Sequence, residues 1–279
     1  MKDSPDWMSV GSGEDRPAPV GVDVSKPSVA RVYDYVLGGK DHFEVDRRAA
    51  ESFLRVLPES PLLARDNRDF LRRGVRYLIA EAGIRQIIDI GSGLPTAGNV
   101  HELAHELDPS VRVVYVDNDP IVLAHGRALL ADNKRTTVIT ADIRMPDSIF
   151  DHPTTGQFID AREPFAVLAA GILHHLSDEE KPEQVAAAIR KRLPAGGYLL
   201  VANFLDAGET RARELERGFL EGGLGTGRFR TLDEQLRYFD GLDMVEPGFV
   251  YANDWRPDLR TPANSPVRTL YAGGIGRKP

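Results

Sequence analysis

From Gly83 onward, short apolar segments alternate with longer amphipathic segments, and this alternation restricts the fold more than any other feature of the chain. Most of the apolar segments are uninterrupted, which is typical of strands in a parallel sheet whose two faces are both covered. The sequence therefore predicts a doubly wound α/β domain, with helices on both faces of a mostly parallel sheet. The predicted parallel strands are Gln86–Ile90, Arg112–Val116, Thr136–Thr140, Phe165–Ala170 and Tyr198–Phe204.

Two further strands are predicted near Asp243–Tyr251 and Val267–Gly273. No helical segment separates them, whereas a parallel pair needs a long crossover connection. We therefore expect these two strands to be antiparallel neighbours at the edge of the sheet.

The chain divides into three regions by composition. Residues 1–25 are rich in Pro, Gly, Asp and Ser without an apolar period, which predicts a disordered tail. Residues 26–83 are predicted to form a helical extension, interrupted by a turn at Gly38-Gly39. Residues 84–279 contain the predicted sheet, and residues 26–279 are expected to form one structural unit.

Composition argues against several classes of protein. The formal net charge of −7 disfavours a protein that coats nucleic acid or an anionic membrane. No apolar run approaches the roughly 20 residues of a membrane span. The chain has no cysteine, and its scattered acids lack a spacing typical of metal ligands, so we expect neither a disulfide framework nor a metal site. The N-terminus lacks a secretory pattern, and we expect a cytoplasmic protein.

One cationic cluster departs from this acidic balance. Five arginines lie between residues 65 and 76, and Arg68, Arg72 and Arg76 recur at a four-residue step in a predicted helix. A solvated helix face, opposite Leu71 and Val75, is the favoured interpretation. A docking site for a phosphate or carboxylate group is the alternative.

A glycine-bearing turn follows the first predicted strand. The strand ends at Asp89-Ile90, the turn reads Gly91-Ser92-Gly93-Leu94, and a helix is predicted to begin near Gly98 or Asn99. Glycines at such a turn let a ligand approach backbone N–H groups closely. A lone Gly-x-Gly is weak evidence, because glycines are common at the ends of strands.

Acidic residues after the next two strands strengthen the prediction of a nucleoside site. Asp117 follows the second strand, 24 residues after Gly93, close to the spacing of about 20 residues at which an acid meets ribose hydroxyls. Asp119 is assigned to capping the next helix because Pro120 follows it, which leaves Asp117 for a ligand. Asp142 follows the third strand, where it could accept from an adenine amine or simply stabilise a turn.

The glycine pattern also discriminates between nucleoside ligands. A dinucleotide fingerprint would place a third glycine at position 96, but this chain has Thr96 preceded by Pro95. No Gly-Lys-Ser or Gly-Lys-Thr sequence is present, which argues against a phosphate-binding loop of the Walker type. NAD is therefore the less favoured ligand.

Taken in order, these motifs resemble those of class I S-adenosylmethionine-dependent methyltransferases. The resemblance includes Asp-x-Gly-x-Gly, Asp117, the Ala141-Asp142 pair, and the run Ala170-Gly171-Ile172-Leu173-His174-His175. The segment from Ala30 to Phe43, with Trp255-Arg256-Pro257 and Tyr271-Ala272-Gly273, is similar to an actinobacterial S-adenosylmethionine methyltransferase family long catalogued as a domain of unknown function.

This resemblance implies a Rossmann-like, seven-stranded, mostly parallel sheet that binds S-adenosylmethionine at the carboxyl ends of its central strands. The implied cofactor-binding residues are Asp89, Gly91, Ser92, Gly93, Leu94, Asp117, Asn118, Asp142, Ile143, Ala170 and Gly171. The helical extension would form a lid, and its substrate-facing candidates, with one residue from the C-terminal part, are Tyr33, Gly38, Lys40, Asp41, Phe43 and Trp255.

Methyl transfer requires little acid–base chemistry, because the sulfonium is already an electrophile. If the acceptor is a hydroxyl or phenol, a base would assist, and His174 or His175 at the end of the fourth strand could supply it. Either histidine could equally form a pocket wall, so no catalytic residue is assigned. The sequence predicts a methyltransferase for a small molecule, with a non-catalytic S-adenosylmethionine-binding module or an NAD(P)-dependent oxidoreductase as alternatives.

Overall fold

The computed structural model of the protein describes residues 22–95, 98–130 and 133–279. Most of the predicted disordered tail, residues 1–21, therefore lies outside the described residues. Of the rest of that segment, Val22 packs against a small apolar cluster that contains Ala30, Leu94 and Ile121.

A single mixed sheet forms the centre of the described chain. Its strands are β1 Gln86–Ile90, β2 Arg112–Asp117, β3 Thr136–Thr140, β4 Ala166–Ala170, β5 Tyr198–Phe204, β6 Asp243–Met244, β7 Val250–Tyr251 and β8 Tyr271–Arg277. They lie in the order β3-β2-β1-β4-β5-β8-β6, and β7 pairs with β8 beside this path. Strands β1 to β5 are parallel, while β8 is antiparallel to β5. The doubly wound, Rossmann-like fold is thus confirmed.

The closing strands differ in detail from the prediction. The strand expected over Asp243–Tyr251 is two short strands, because the chain turns between them at Gly248, whose φ is 96°. The strand expected from Val267 begins only at Tyr271, since the amide of Leu270 donates to the carbonyl of Val267 in a short 3₁₀ turn. Both short strands pair antiparallel with β8, as expected for this edge of the sheet.

Helices cover both faces of the sheet. They are α1 Val29–Val36, α2 Glu44–Leu54, α3 Ser60–Arg76, α4 Val100–Leu107, α5 Pro120–Leu129, α6 Pro146–Phe150, α7 Pro153–Phe158, α8 Pro182–Arg192, α9 Thr210–Glu221 and α10 Leu232–Leu236. The predicted cap of α5 is present, because the Asp119 carboxylate accepts from the amide of Ile121 at 2.9 Å. Thr231 and Glu234 form the predicted capping box of α10.

Alternate residues of the central strands enter two separate cores. On one face, Ile87 belongs to the cluster that contains Phe70 and Leu200. On the other, Ile88 belongs to the cluster that contains Val114 and Val167. Burial on both faces explains why these strands are uninterrupted apolar runs.

The helical extension packs onto the sheet domain. Helix α2 lies against α9, where the Ser52 hydroxyl donates to the carbonyl of Gly218 at 2.8 Å. The rings of Phe53 and Phe219 stack at the same contact, with their centroids 4.7 Å apart. The extension therefore shares a core with the residues that follow β5.

The predicted solvated arginine face describes only part of α3. Arg73 is 4% exposed, and its guanidinium donates to the carbonyls of Trp255 and Ala252 at 2.9 and 2.6 Å. Arg76 is exposed, whereas Arg72 pairs with Asp258 at 2.7 Å. Arg73 lies outside the four-residue period, and its partners are distant in sequence, so its burial could not be predicted from the arginine spacing. None of the described helices is long and apolar enough to span a bilayer.

Candidate functional site

A cavity of about 630 Å³ lies at the carboxyl ends of β1, β2 and β4, partly covered by residues of α1, α3 and α9. The predicted cofactor-binding residues Asp89, Gly91, Ser92, Gly93, Leu94, Asp117, Asn118, Asp142, Ile143, Ala170 and Gly171 all line it. Tyr33, His174 and His175 line the same cavity. The fold thus brings side chains from five separate parts of the sequence to one space.

The glycine turn has the backbone conformation that its sequence predicts. Gly91 and Gly93 have φ values of 71° and 66°, a region that other residues rarely adopt. A methyl group on Gly91 would lie 2.8 Å from the Ile172 side chain, so this position has no room for one. A methyl group on Gly93 would meet no atom of the described residues within 4 Å. The space above Gly93 is open to a ligand.

The carboxyl of Asp89 is buried without a hydrogen-bond partner among the described residues. The side chain is 6% exposed and lines the cavity. Burial, together with repulsion from Asp117, raises the pKa of Asp89 to about 7, and the positive charge of Arg68 opposes this shift. A buried, unpartnered carboxyl next to an open glycine turn fits a cationic donor such as an ammonium group.

Asp117 is less free than the sequence suggested. One carboxylate oxygen accepts from the amide of Gly93 and the other from the amide of Asp119, both at 2.9 Å. Burial still raises the pKa of Asp117 above its ordinary value, against the effect of these bonds. Since a carboxylate has about four acceptor positions, the group can still receive two hydroxyls. Asp117 thus fixes the glycine turn while facing the cavity.

Asp142 is held by its own turn. Its carboxylate accepts from the backbone amide of Arg144 at 2.9 Å and from the guanidinium of the same residue. Asn118 adds a longer contact of 3.5 Å. The Arg144 guanidinium keeps the pKa of Asp142 below its ordinary value. The turn-stabilising interpretation of Asp142 therefore describes its contacts, although the residue also lines the cavity.

The two histidines after β4 have different environments. His174 is 5% exposed, its Nδ1 lies 3.2 Å from the Asn203 Oδ1, and its Nε2 is enclosed without a partner among the described residues. His175 is only partly buried, and its Nδ1 lies 2.9 Å from the carbonyl oxygen of Leu224. Burial lowers the pKa of His174 well below its ordinary value and that of His175 to about 4. Both rings are therefore neutral near pH 7.

Beside the histidines, one end of the cavity is an apolar chamber. Its walls come from helices α1, α2, α3 and α9, from strands β5 and β8, and from the segment after α9; they are Val36, Phe53, Leu63, Phe204, Leu215, Phe219, Leu224 and Tyr271. The rings of Phe204 and Tyr271 meet edge to face at 5.2 Å, and those of Phe204 and Phe219 lie 5.2 Å apart. The chamber has the lining expected for a small, largely apolar molecule.

Two polar side chains, those of Tyr33 and Asn67, border the chamber near the end of β4. The Asn67 amide donates to the Tyr33 hydroxyl at 3.1 Å, and this hydroxyl donates to the carbonyl of Ala64 at 3.1 Å. A methyl group on Gly171 would lie 3.4 Å from the Tyr271 hydroxyl. Of the predicted lid residues, Tyr33 is therefore the one whose side chain faces the cavity.

The other predicted lid residues lie elsewhere. Gly38, Lys40, Asp41 and Phe43 belong to the turn between α1 and α2 and do not line the cavity. Phe43 packs beneath the Arg31 guanidinium, which lies 5.5 Å from its ring centroid. The cavity is bordered instead by the start of α1.

Polar contacts tie the start of α1 to the cavity wall. The Ser28 hydroxyl donates to the carboxylate of Asp119, directly after β2. Arg31 pairs with the buried Asp46 at 2.8 Å, and its guanidinium lies 4.0 Å from Asp119. Helix α1 is thus fixed beside the residue that follows Asp117 and Asn118.

The assignment of Trp255 to the substrate site is wrong. The side chain is fully buried and contacts Phe70 and Tyr77 edge to face, at centroid distances of 5.5 and 6.0 Å. Because Arg73 binds the Trp255 carbonyl, the ring is held in the core between α3 and the sheet. Trp255 stabilises the fold and does not reach the cavity.

Several cavity residues have no motif that predicts them from the sequence. Asn67 and Arg68 come from the arginine-bearing helix, and Phe204 and Phe219 come from β5 and α9. For Arg68, the four-residue spacing of the arginines was a signal, because an anion-docking site was the alternative interpretation of that cluster. The phenylalanines gave none, because an aromatic residue in a buried element is more often part of the core.

The strand order, the glycine turn and the acids at the carboxyl ends of β1 and β2 together define a class I S-adenosylmethionine-dependent methyltransferase. A family model described as S-adenosyl methyltransferase matches residues 15–279. The chain therefore belongs to this family, and S-adenosylmethionine is its cofactor. The resemblance drawn from the sequence is confirmed.

Solved structures agree with this assignment. A candidate methyltransferase from Thermobifida fusca YX is 46% identical, with a TM-score of 0.89 over 94% of this chain and 98% of the other. A DUF574 family protein from Streptomyces avermitilis MA-4680 is 37% identical, with a TM-score of 0.87 over 92% and 99% of the two chains. The CurJ carbon methyltransferase, 14% identical with a TM-score of 0.52 over 89% and 65%, shares the fold. A search of curated proteins found no match.

Proposed function

We propose that this enzyme transfers the methyl group of S-adenosylmethionine to a small molecule that binds in the apolar chamber. The observation that carries this proposal is a single cavity with two chemically different ends. One end has the glycine turn and the acids of β1 and β2, and the other has aromatic and aliphatic walls. A polar cofactor and a largely apolar acceptor therefore have separate places in one cavity.

The residues at the polar end fit the cofactor group by group. The buried, unpartnered carboxyl of Asp89 would receive the ammonium of the methionine half, and the open space above Gly93 would admit its chain. Asp117 would accept from the ribose hydroxyls. Asp142 and Ile143 would border the adenine, with the Asp142 carboxylate already engaged by Arg144.

Arg68 completes this end of the cavity. It lines the cavity, donates to the carbonyl of Gly98 at 3.3 Å, and is close enough to Asp89 to oppose the rise in its pKa. A guanidinium beside the methionine end would receive the cofactor's carboxylate, since Arg binds carboxylates with two parallel hydrogen bonds. Arg68 is thus the part of the arginine cluster to which the anion-docking interpretation applies.

When bound, the cofactor supplies an electrophilic methyl group on sulfur. The chain itself has to hold the acceptor in line with that group and exclude water. Helix α1 and the walls of the apolar chamber would do both, with α1 acting as the lid and Tyr33 facing the acceptor. The turn from Gly38 to Phe43 would support this lid from outside the cavity.

No observation favours the two alternatives. An NAD(P)-dependent oxidoreductase would need a glycine where the sequence has Thr96. A non-catalytic binding module would not need the apolar chamber beside the cofactor end.

Calorimetric titration separates these functions. We expect S-adenosylmethionine and S-adenosylhomocysteine to bind and NADH to give no heat. We also expect methyl-tritiated S-adenosylmethionine to label compounds in a panel of small aromatic and aliphatic acceptors. Binding of NADH alone would contradict the proposal, and cofactor binding without transfer to any acceptor would favour a binding module.

A further inference from the structure

His175 lies at the boundary between the two ends of the cavity. One of its ring nitrogens is hydrogen-bonded, and the other has no hydrogen-bond partner among the described residues. Its Nδ1 lies 2.9 Å from the carbonyl oxygen of Leu224. A carbonyl oxygen only accepts, so Nδ1 carries the hydrogen. Near pH 7 the ring is neutral, because burial lowers its pKa to about 4. Nε2 therefore has a lone pair that can accept a proton.

The glycine-rich segment Gly222–Gly227 holds the ring in this state. Gly225 has a φ of 98°, and a methyl group there would lie 3.2 Å from the His175 Nδ1. A methyl group on Gly227 would lie 2.2 Å from the His174 carbonyl oxygen. Side chains at these positions would push the segment away from the histidines. The glycines thus let the Leu224 carbonyl reach the ring.

His174 has a different role. Its Nε2 is enclosed, and its ring lies behind that of His175 with the centroids 4.2 Å apart. It also contacts the ring of Phe204 edge to face at 4.6 Å. His174 therefore supports the position of His175 and the chamber wall.

The charges around the cavity restrict the acceptor. The described residues that form the apolar chamber contain no charged side chain. Among the charged residues of the cavity, Arg144 is paired with Asp142 and Glu180, and Asp89, which has no partner among the described residues, lies next to the glycine turn. Burying a carboxylate or an ammonium in the chamber would cost several kcal/mol without a countercharge. A neutral molecule is the class that these walls accommodate.

We propose that His175 is the general base for methylation of a neutral hydroxyl, on an acceptor whose body is largely apolar, such as a phenol. The proposal rests on the proposed function. The acceptor O–H bond breaks and its proton moves to Nε2, while the oxygen forms a bond to the methyl carbon. The methyl–sulfur bond breaks, and its electron pair stays on sulfur as a neutral thioether. The imidazolium then releases its proton to water.

Three acceptors with the same ring system test the substrate class: 2-naphthol, 2-naphthoate and 2-naphthylmethylamine, each with methyl-tritiated S-adenosylmethionine. We expect label in 2-naphthol and little in the carboxylate or the amine. Preferential labelling of either charged compound would overturn the inference while leaving methyl transfer itself intact. If no acceptor of any class is labelled, the proposed function fails and this inference fails with it.

His175→Ala tests the base. We expect kcat with 2-naphthol to fall about 10²-fold or more, with S-adenosylhomocysteine affinity unchanged by calorimetry. The kcat that remains in the variant should rise with pH between about pH 6 and 9, because hydroxide has to replace the missing base, whereas the wild-type kcat should be level over this range. A loss that is the same at every pH would show that His175 only shapes the chamber. His152→Gln, outside the cavity, is the matched control and should keep full activity.

Gly225→Ala tests the positioning segment. We expect this variant to reproduce the pattern of His175→Ala, with a lower kcat for 2-naphthol that rises with pH. A thermal melt confirms that the variant is folded. A folded variant with unchanged kcat would contradict the role assigned to the segment.

Discussion

At the scale of single residues, the strand before the glycine turn contains a group that destabilises the free protein, the buried carboxyl of Asp89. Its pKa is about 7 in the folded protein, against an ordinary value of 3.8. Between these values the folded state binds the proton more tightly than the unfolded state, so this group lowers stability as pH rises. The full penalty is present above pH 7 and disappears below the ordinary pKa.

Asp89→Asn removes this ionisation. We expect the variant to be more stable than the wild type by roughly 1–3 kcal/mol above pH 7, with the difference vanishing in acid. Urea denaturation across this pH range measures the difference. Cofactor affinity should fall in the same variant, because the ammonium loses its partner. A variant less stable than the wild type above pH 7 would contradict the assigned pKa.

Asp117 differs from Asp89 in having hydrogen-bond partners, and we expect its side chain to support both the fold and the ligand. Asp117→Ala should weaken S-adenosylhomocysteine binding by roughly 1.5–3 kcal/mol through the loss of charge-assisted hydrogen bonds. It should also lower the melting temperature, because the amides of Gly93 and Asp119 lose their acceptor. Calorimetry and a thermal melt measure the two effects. The exposed Asp151→Ala is the control, and an unchanged affinity in Asp117→Ala would remove the ribose assignment.

The proposed role of Arg68 can be tested by comparing two ligands in one protein variant. Arg68→Ala should weaken S-adenosylhomocysteine binding by about 1.5–3 kcal/mol. It should leave 5′-methylthioadenosine unaffected, because that ligand lacks the amino and carboxylate groups. Arg65→Ala, at an exposed position in the same helix, should change neither affinity. Equal weakening of both ligands by Arg68→Ala would show that the residue supports the fold rather than the carboxylate.

At the scale of elements, the contact between α2 and α9 depends on one glycine. A methyl group on Gly218 would lie 2.9 Å from the Cβ and 3.0 Å from the Cα of Phe53, so the two helices would have to separate. Gly218→Ala should cost about 1–3 kcal/mol, despite the better helix propensity of alanine. In Gly156→Ala, also within a helix, the methyl group meets nothing within 4 Å, and this variant should be neutral or more stable. Urea denaturation compares the two, and equal effects would contradict the packing argument.

The elements of the sheet domain could largely be predicted from the sequence. Strands β1, β3 and β5 have their predicted ends, because segments of apolar and β-branched residues between turn residues mark strands directly. The helix after β2 could be predicted from Asp119-Pro120 for a similarly local reason. The division of Asp243–Tyr251 into two strands could not, since it depends on pairing with β8, which is distant in sequence.

At the scale of the whole molecule, the cavity joins residues that local patterns identify and residues that they do not. Acids and glycines at strand ends have a spacing that can be read along the chain, and they all line the cavity. The chamber wall needs Phe53 and Phe219, which are 166 residues apart, to stack against each other. Trp255 was predicted to face the substrate but lies in the core, because its burial depends on contacts with residues distant in sequence, such as Arg73. Sequence patterns therefore identified the residues around the glycine turn better than the residues of the apolar chamber.

A crystal structure with S-adenosylhomocysteine tests the central claim most directly. We predict that the ribose lies at Asp117, that the amino and carboxylate groups lie between Asp89 and Arg68, and that the sulfur faces the apolar chamber beside His175. Binding at a different site, or with the sulfur turned away from the chamber, would contradict the account.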